Sequence, residues 1–279
     1  MVEGNPMQYR RIGSSGTKVS VLSFGTWHSG QNPDEETLQI DCIKKSIESG
    51  VNFIDTAEIY GSGAAEKIVG SALKDLDKDR DELVISTKFR RCGDGPNNEG
   101  LGRKHLVQGM RNSLKRLGLD YVDIMFLHRH DHETPLLETI RSVNHLIDQG
   151  KALYWGTSEF TAQQIMDCHR ICEKYGFVAP TVEQPQYSMI WREKFEVEYG
   201  PLYDNFGMGT TIWSPLGMGI LTGKYNDGNI PEGSRFFENE NSFLSGYFNN
   251  LFSGEQREKT LTMLQGLGTL AGELDCTQA

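Results

Sequence analysis

The sequence predicts an α/β fold, a (β/α)8 barrel entered through an amino-terminal β-hairpin, and three observations predict it. Short apolar or β-branched runs alternate with segments of helical period, no linker breaks the alternation, and polar residues recur at the carboxyl ends of successive runs. An open sheet would scatter those polar residues over its width, whereas a closed ring gathers them around one mouth. A G-x-G-x-x-G after the first strand is absent, which removes the main signature of an open dinucleotide-binding sheet.

Taken in order, "MQYRRIGSSGTKVSVLSFGT" reads as two extended runs about Ser-Ser-Gly, a hairpin leading into a strand over 19–26. Further strands are predicted at 51–55, 83–88, 121–127, 152–157, 179–184 and 209–213, making seven with the first. Helices are predicted at 35–49, 64–76, 103–117, 135–149 and 161–175, with a weaker pattern over 191–205. Leu106, Met110, Leu114 and Leu117 form one apolar stripe, and Gly50, Gly118, Gly150 and Gly176 stand where a left-handed cap ends a helix.

Composition bounds the function. At 279 residues, 37% hydrophobic and 24% charged, the chain is long enough to bury a large core, and it reads as a single domain over 1–279. A net charge of -10 disfavours nucleic acid or an anionic membrane surface as partner and favours small molecules or proteins. The five cysteines are odd in number and lack paired C-x-x-C spacing, so a reducing, cytoplasmic setting is expected. No run approaches the roughly 20 apolar residues of a membrane span, and the first residues lack a signal-peptide core.

The chemistry concentrates on three adjacent strand ends. Asp55 closes "NFID" and Tyr60 follows on its loop; Lys88 closes "ISTK"; His128 closes "FLH". A lysine ending a buried strand needs a counter-charge, and Asp55 supplies one. Such a pair alone would only plug the barrel, and a lone loop tyrosine is usually a packing residue. Together the four make a proton-donating site: the phenol becomes a useful acid when a cation lies beside it. An alternative reads His128, His130 and His132 as metal ligands, but the other strands offer too few partners to complete a site. Cys168 and Cys172, four apart, read as packing residues of a helix.

The motifs "NFIDTAEIYG", "ISTKF", "FLHRHD", "YWGTSEF", "EQPQY" and "WSPLGMGILTGKY" resemble those of the aldo-keto reductases, a (β/α)8 family that moves hydride between NADPH and carbonyl compounds. "YWGTS", "GRKH", "VDIMF" and "WSPL" resemble most the branch holding the cytosolic β subunits of voltage-gated potassium channels and their microbial relatives. The resemblance implies that Tyr60 donates the proton, Lys88 lowers its pKa, Asp55 pairs with Lys88, and His128 orients the carbonyl. The channel-subunit branch commonly has asparagine at the His128 position, so the histidine favours enzymatic competence.

The resemblance also implies a cofactor set for NADPH or NADP+. Thr26, Trp27, Gln31 and Asp55 fall at the nicotinamide end, Ser158 and Gln184 on the carboxamide, and Trp213 against the ring. Ser214, Pro215, Leu216 and Gly217, with Lys224, approach the pyrophosphate, and Arg235 the 2′-phosphate. Glu159 departs from the branch, which carries arginine there. An aldehyde or ketone substrate, a channel's cytosolic domain as partner, and a homotetramer are the further implications. Seven strands where the family has eight imply that the last helix, eighth strand and closing helix are absent, and that the far end of the cofactor loses contacts. The short stretch before Met7 lacks the channel-plugging extension of some subunits.

Overall fold

The computed structural model describes residues 6–28, 33–74, 76, 78–237 and 242–279. Those residues divide into two compact units, residues 1–185 with 196–211, and residues 186–195 with 212–279.

The first unit opens with the hairpin β1 (Tyr9–Arg11) and β2 (Lys18–Ser20), paired antiparallel. Seven parallel strands follow in chain order: β3 (Phe24–Gly25), β4 (Phe53–Asp55), β5 (Val84–Phe89), β6 (Val122–Leu127), β7 (Ala152–Ser158), β8 (Val182–Gln184) and β9 (Gly209–Thr210). Between them run α1 (Glu36–Glu48), α2 (Ala64–Lys74), α3 (Arg103–Leu117), α4 (Leu136–Asp148), α5 (Ala162–Tyr175) and α6 (Gly200–Phe206). The sheet is curled as a barrel requires. Four steps of about 4.8 Å would put β4 and β8 about 19 Å apart on a flat sheet. Instead, the Gln184 amide on β8 donates to Asp55 on β4 at 3.3 Å.

Strand alternation then makes two layers. Ile12, Phe53, Val84, Ile124, Phe126 and Val182 form the inner cluster, with Ile12 of the hairpin plugging it. Ile54, Ile85, Phe89, Met125, Leu127 and Trp155 face the helices. Gly156 points inward where a Cβ would lie 2.5 Å from Val182 and 2.8 Å from Phe126, so the interior leaves no room for a side chain there. On α3 the predicted stripe is buried as expected, each such side chain contributing about 1.5–3 kcal/mol. Gly118 and Gly176 end α3 and α5 at φ 66° and 68°, the left-handed caps foreseen. Thr161 caps α5 with a complete capping box to Gln164.

Several boundaries differ from the sequence expectation, and the strands expected at 51–55 and 179–184 begin only at Phe53 and Val182. The run 19–26 splits because the Ser20 hydroxyl donates to the Leu22 carbonyl and bends the chain between β2 and β3. The strand predicted at 209–213 stops at Thr210. The α-helix expected over 191–205 begins only at Gly200, where Pro201 sits in the first turn and its missing N–H costs nothing.

The second unit has an aromatic core of Tyr225, Phe236, Tyr247, Phe248 and Phe252, with Phe248 and Phe252 stacked at 4.3 Å. It carries α7 (Ser242–Phe252) and α8 (Gly254–Glu273). The sequence expectations include neither helix, although Leu244, Tyr247, Phe248, Leu251 and Phe252 give α7 a helical spacing; in α8, Gly266, Gly268 and Gly272 weaken the signal and the apolar residues form no single stripe. Among the described residues no helix is long and apolar enough to cross a membrane.

Candidate active site

The inward positions of β4 to β8 bring together the polar side chains that periodicity assigns to one face. Lys88 is fully buried, and its ammonium donates to the Asp55 carboxylate, to the Thr56 carbonyl at 2.8 Å and to the Tyr60 hydroxyl at 3.3 Å. All three protons of the ammonium are thereby used, which fixes the charge at one point. Burial by itself would depress this lysine, but the Asp55 charge and the hydrogen bonds to Asp55 and Tyr60 leave it above its ordinary value.

Tyr60 is delivered by an unusual turn. Gly61 and Ser62 both adopt left-handed backbone at φ 54° and 53°, and this reversal follows directly on the phenol. Burial pushes the phenol above its ordinary range, with Lys88 pulling the other way and Asp55 adding to the rise. The resemblance implies a lowered phenol; the structure gives a cation-assisted one whose net shift is upward, because burial outweighs Lys88 and Asp55 adds to the rise. Tyr60 is therefore protonated at neutral pH, the form an acid must have.

His128 meets Tyr60 edge to face, with ring centroids 5.7 Å apart. Burial, then Lys88 and Arg129, hold the imidazole well below its usual range, so at neutral pH it is uncharged and offers one N–H. His130 and His132 turn to each other at 4.5 Å, and His130 packs on Phe160. The three histidines form no ligand cluster among the described residues, because β6 ends at Leu127 and the alternation that would align them ends with it. Cys168 and Cys172 are buried; burial raises both thiols, Cys172 to about 12, consistent with packing residues.

Two further residues belong to this constellation. Ser86, two positions before Lys88 and so on the same face, donates to Asp55 at 2.6 Å and, with Gln184, fixes the carboxylate. Arg129 donates to the Ser158 hydroxyl at 3.1 Å and to the His128 carbonyl at 2.5 Å. Period two could have revealed Ser86; Arg129 gives no signal beyond its place beside His128.

The residues expected at the nicotinamide end are partly tied to one another. Thr26 donates to the Asp55 carbonyl at 3.1 Å, Ser158 to the Gln184 carbonyl at 2.9 Å, and the Gln184 amide also to Thr211 at 3.1 Å. Trp27 lies half-buried, its ring 4.8 Å from that of His28. Gln31 lies outside the described residues. As a set, Ser158 and Gln184 offer the mixture of donors and acceptors that a carboxamide needs.

In the second unit Trp213 is half-buried and bridges to Gln186. Ser214, Gly217, Met218 and Gly219 all have positive φ, and the amides of Gly217 and Gly219 turn back to the carbonyls of Ser214 and Leu216. Pro215 and Leu216 are exposed. A Cβ on Gly219 would lie 3.6 Å from the Lys224 ammonium, so the cation sits over the loop. Nearby in sequence, the buried Tyr225 and Ser234 hydroxyls have no hydrogen-bond partner, and burial lowers the half-buried Arg235 guanidinium, against a smaller opposing pull from Tyr225. Two unsatisfied hydroxyls in a stretch with a lysine and an arginine form a donor set that fits a phosphate-bearing ligand. Glu159, the departure from the branch, has left-handed backbone at φ 60°.

Against known proteins, residues 21–279 match the aldo/keto reductase family. A probable voltage-gated potassium channel subunit beta of Arabidopsis thaliana is 46% identical over 274 residues, 98% of this chain and 81% of that protein. One from Oryza sativa subsp. japonica is 45% identical over the same shares, and a putative one from Schizosaccharomyces pombe is 48% identical over 81% of this chain and 67% of its own. Curled parallel sheet, inward tetrad and family match agree: the chain belongs to the aldo/keto reductase family.

Proposed function

We propose that the protein is an NADPH-dependent reductase of aldehydes or ketones, with Tyr60 as general acid and 1–279 as its single catalytic domain. The observation that supports this most is the Lys88 ammonium, held between the Asp55 carboxylate and the Tyr60 hydroxyl at the sheet's carboxyl end. When bound, NADPH supplies the hydride. The substrate carbonyl oxygen gains negative charge as the reduction proceeds, and the site must meet that charge at one atom. Tyr60 donates its proton there, and Lys88 stabilises the phenolate left behind, with Asp55 holding the ammonium in place. Neutral His128 directs an N–H toward the same oxygen without introducing a second charge. Ser158 and Gln184 are proposed to hold the carboxamide, with Thr26, Trp27 and Gln31 beside it. Trp213, the loop Ser214 to Gly217, Lys224 and Arg235 are proposed for the ring and phosphates.

The names of the plant and yeast relatives favour a second, compatible role as a subunit of a voltage-gated potassium channel, and we propose its form as a cytoplasmic homotetramer docked on the channel's cytosolic domain. Loss of nicotinamide absorbance with a panel of aldehydes tests the first reading. Turnover is expected; absence of turnover together with stable association to a channel's cytosolic domain would leave only the second.

A further inference from the structure

Behind the strand ends, on the helix side, three ligand-type side chains converge. Glu58, Cys92 and His105 place a carboxylate oxygen, a thiol sulfur and an imidazole nitrogen within 4.8 Å of one another, the single such group among the described residues. Glu58 follows β4, Cys92 lies on the loop after β5, and His105 is in the first turn of α3. Their spacing in sequence is wide, so no motif marks them.

Glu58 is the anchor. Its side chain is fully buried, and one oxygen accepts from the Arg90 N–H at 2.8 Å and stands 2.8 Å from the His105 ring nitrogen. The other oxygen is buried without a hydrogen-bond partner. A buried carboxylate oxygen left unpaired is costly, and a cation is the partner that best offsets it. Gly109, one turn beyond His105, leaves space at that oxygen: a Cβ there would come within 3.1 Å of it. Cys92 is positioned by its own N–H, which donates to the Asn98 carbonyl at 2.8 Å, and by the Arg91–Glu99 bridge.

We propose that Glu58, Cys92 and His105 bind a soft divalent cation of the zinc type. Sulfur, imidazole nitrogen and carboxylate oxygen form a three-ligand zinc set, with a fourth position for water. Ligand atoms about one tetrahedral zinc stand roughly 3.3–3.8 Å apart given bonds of about 2.0–2.3 Å. Zinc geometry asks the farthest ligand atoms to close by about 1 Å, which rotation of the half-buried Cys92 side chain provides, and the 2.8 Å contact between His105 and Glu58 to open as both turn to the ion. His105 also lines a surface depression of about 680 Å³, an entry route for the ion. Binding releases the Cys92 thiol proton to solvent.

The test uses the full chain stripped by chelator, then titrated with Zn2+ against a chromogenic chelator and separately with Co2+. One equivalent of Zn2+ is expected, with a thiolate-to-cobalt charge-transfer band. Cys92→Ser, at a half-buried loop position and with unchanged circular dichroism, should weaken Zn2+ binding by about tenfold or more and abolish the band. His105→Gln should weaken binding likewise. Equal Zn2+ affinity in the parent and Cys92→Ser, or a cobalt complex without the charge-transfer band, would overturn the proposal.

Discussion

Lys88 and Thr87 are neighbours on β5, both fully buried and both polar, yet they serve opposite sides of the sheet. Lys88 faces the barrel interior and meets Asp55 and Tyr60. Thr87 faces the helices, where its hydroxyl donates to Glu66 at 2.6 Å and Glu66 in turn accepts from Arg116 at 2.6 Å. Thr157 on β7 repeats the outward arrangement, donating to Glu183 at 2.5 Å. The outward networks join a strand to the elements around it, so their polarity is consumed in the fold. The inward network holds a cation against a phenol whose proton can still be given away. Buried polarity by itself therefore does not separate the two networks; the face of the strand on which it lies does.

This contrast can be broken from either side. The largest effect is expected for Lys88→Met, which leaves the Asp55 carboxylate without its cation: about 3–5 kcal/mol of stability lost, and turnover reduced by about 10²–10⁴-fold. Thermal unfolding alongside steady-state rates checks both. Glu66→Ala should cost a similar ~3–5 kcal/mol, because Arg116 and Thr87 lose their partner, while kcat of the folded fraction stays near that of the parent. A matching fall in kcat would erase the distinction between the faces. The smallest effect concerns pH. With His128 held neutral well below its usual range, kcat/KM should show no limb near pH 6.5. With the Tyr60 phenol raised, the reduction rate should fall only above about pH 10. The stability side has the opposite sense for the two bases. Protonating His128 costs stability as pH falls below the ordinary histidine range, whereas the Lys88 contribution is intact up to the ordinary lysine range and is lost as pH rises from there through its raised pKa.

Much of this arrangement was legible in the sequence because strand period and strand-end position are local properties. Asp55, Lys88, His128, Ser158 and Gln184 lie on inward positions that counting by two assigns to one face, and the curl that joins β4 to β8 is that of a barrel, with β3 and β9 as the edges of the seven-stranded sheet. The outward partners were not legible. Nothing in the sequence pairs Glu66 with Thr87 and Arg116, or Glu58 with His105, since those contacts depend on how helices settle on the sheet. The shift of Tyr60 was also hidden, because its sign depends on burial competing with two opposite charges. In the second unit, α8 escaped for a local reason, glycine-rich helical sequence without a single apolar stripe, whereas α7 was legible in the spacing of Leu244, Tyr247, Phe248, Leu251 and Phe252.

The central claim is that Tyr60 gives the proton. Its most direct test is NADPH-dependent aldehyde reduction by Tyr60→Phe, a change that removes one hydroxyl and keeps the ring against His128 and Lys88. The account predicts turnover lower by about 10²–10⁴-fold with thermal stability essentially unchanged; turnover equal to that of the parent would contradict it.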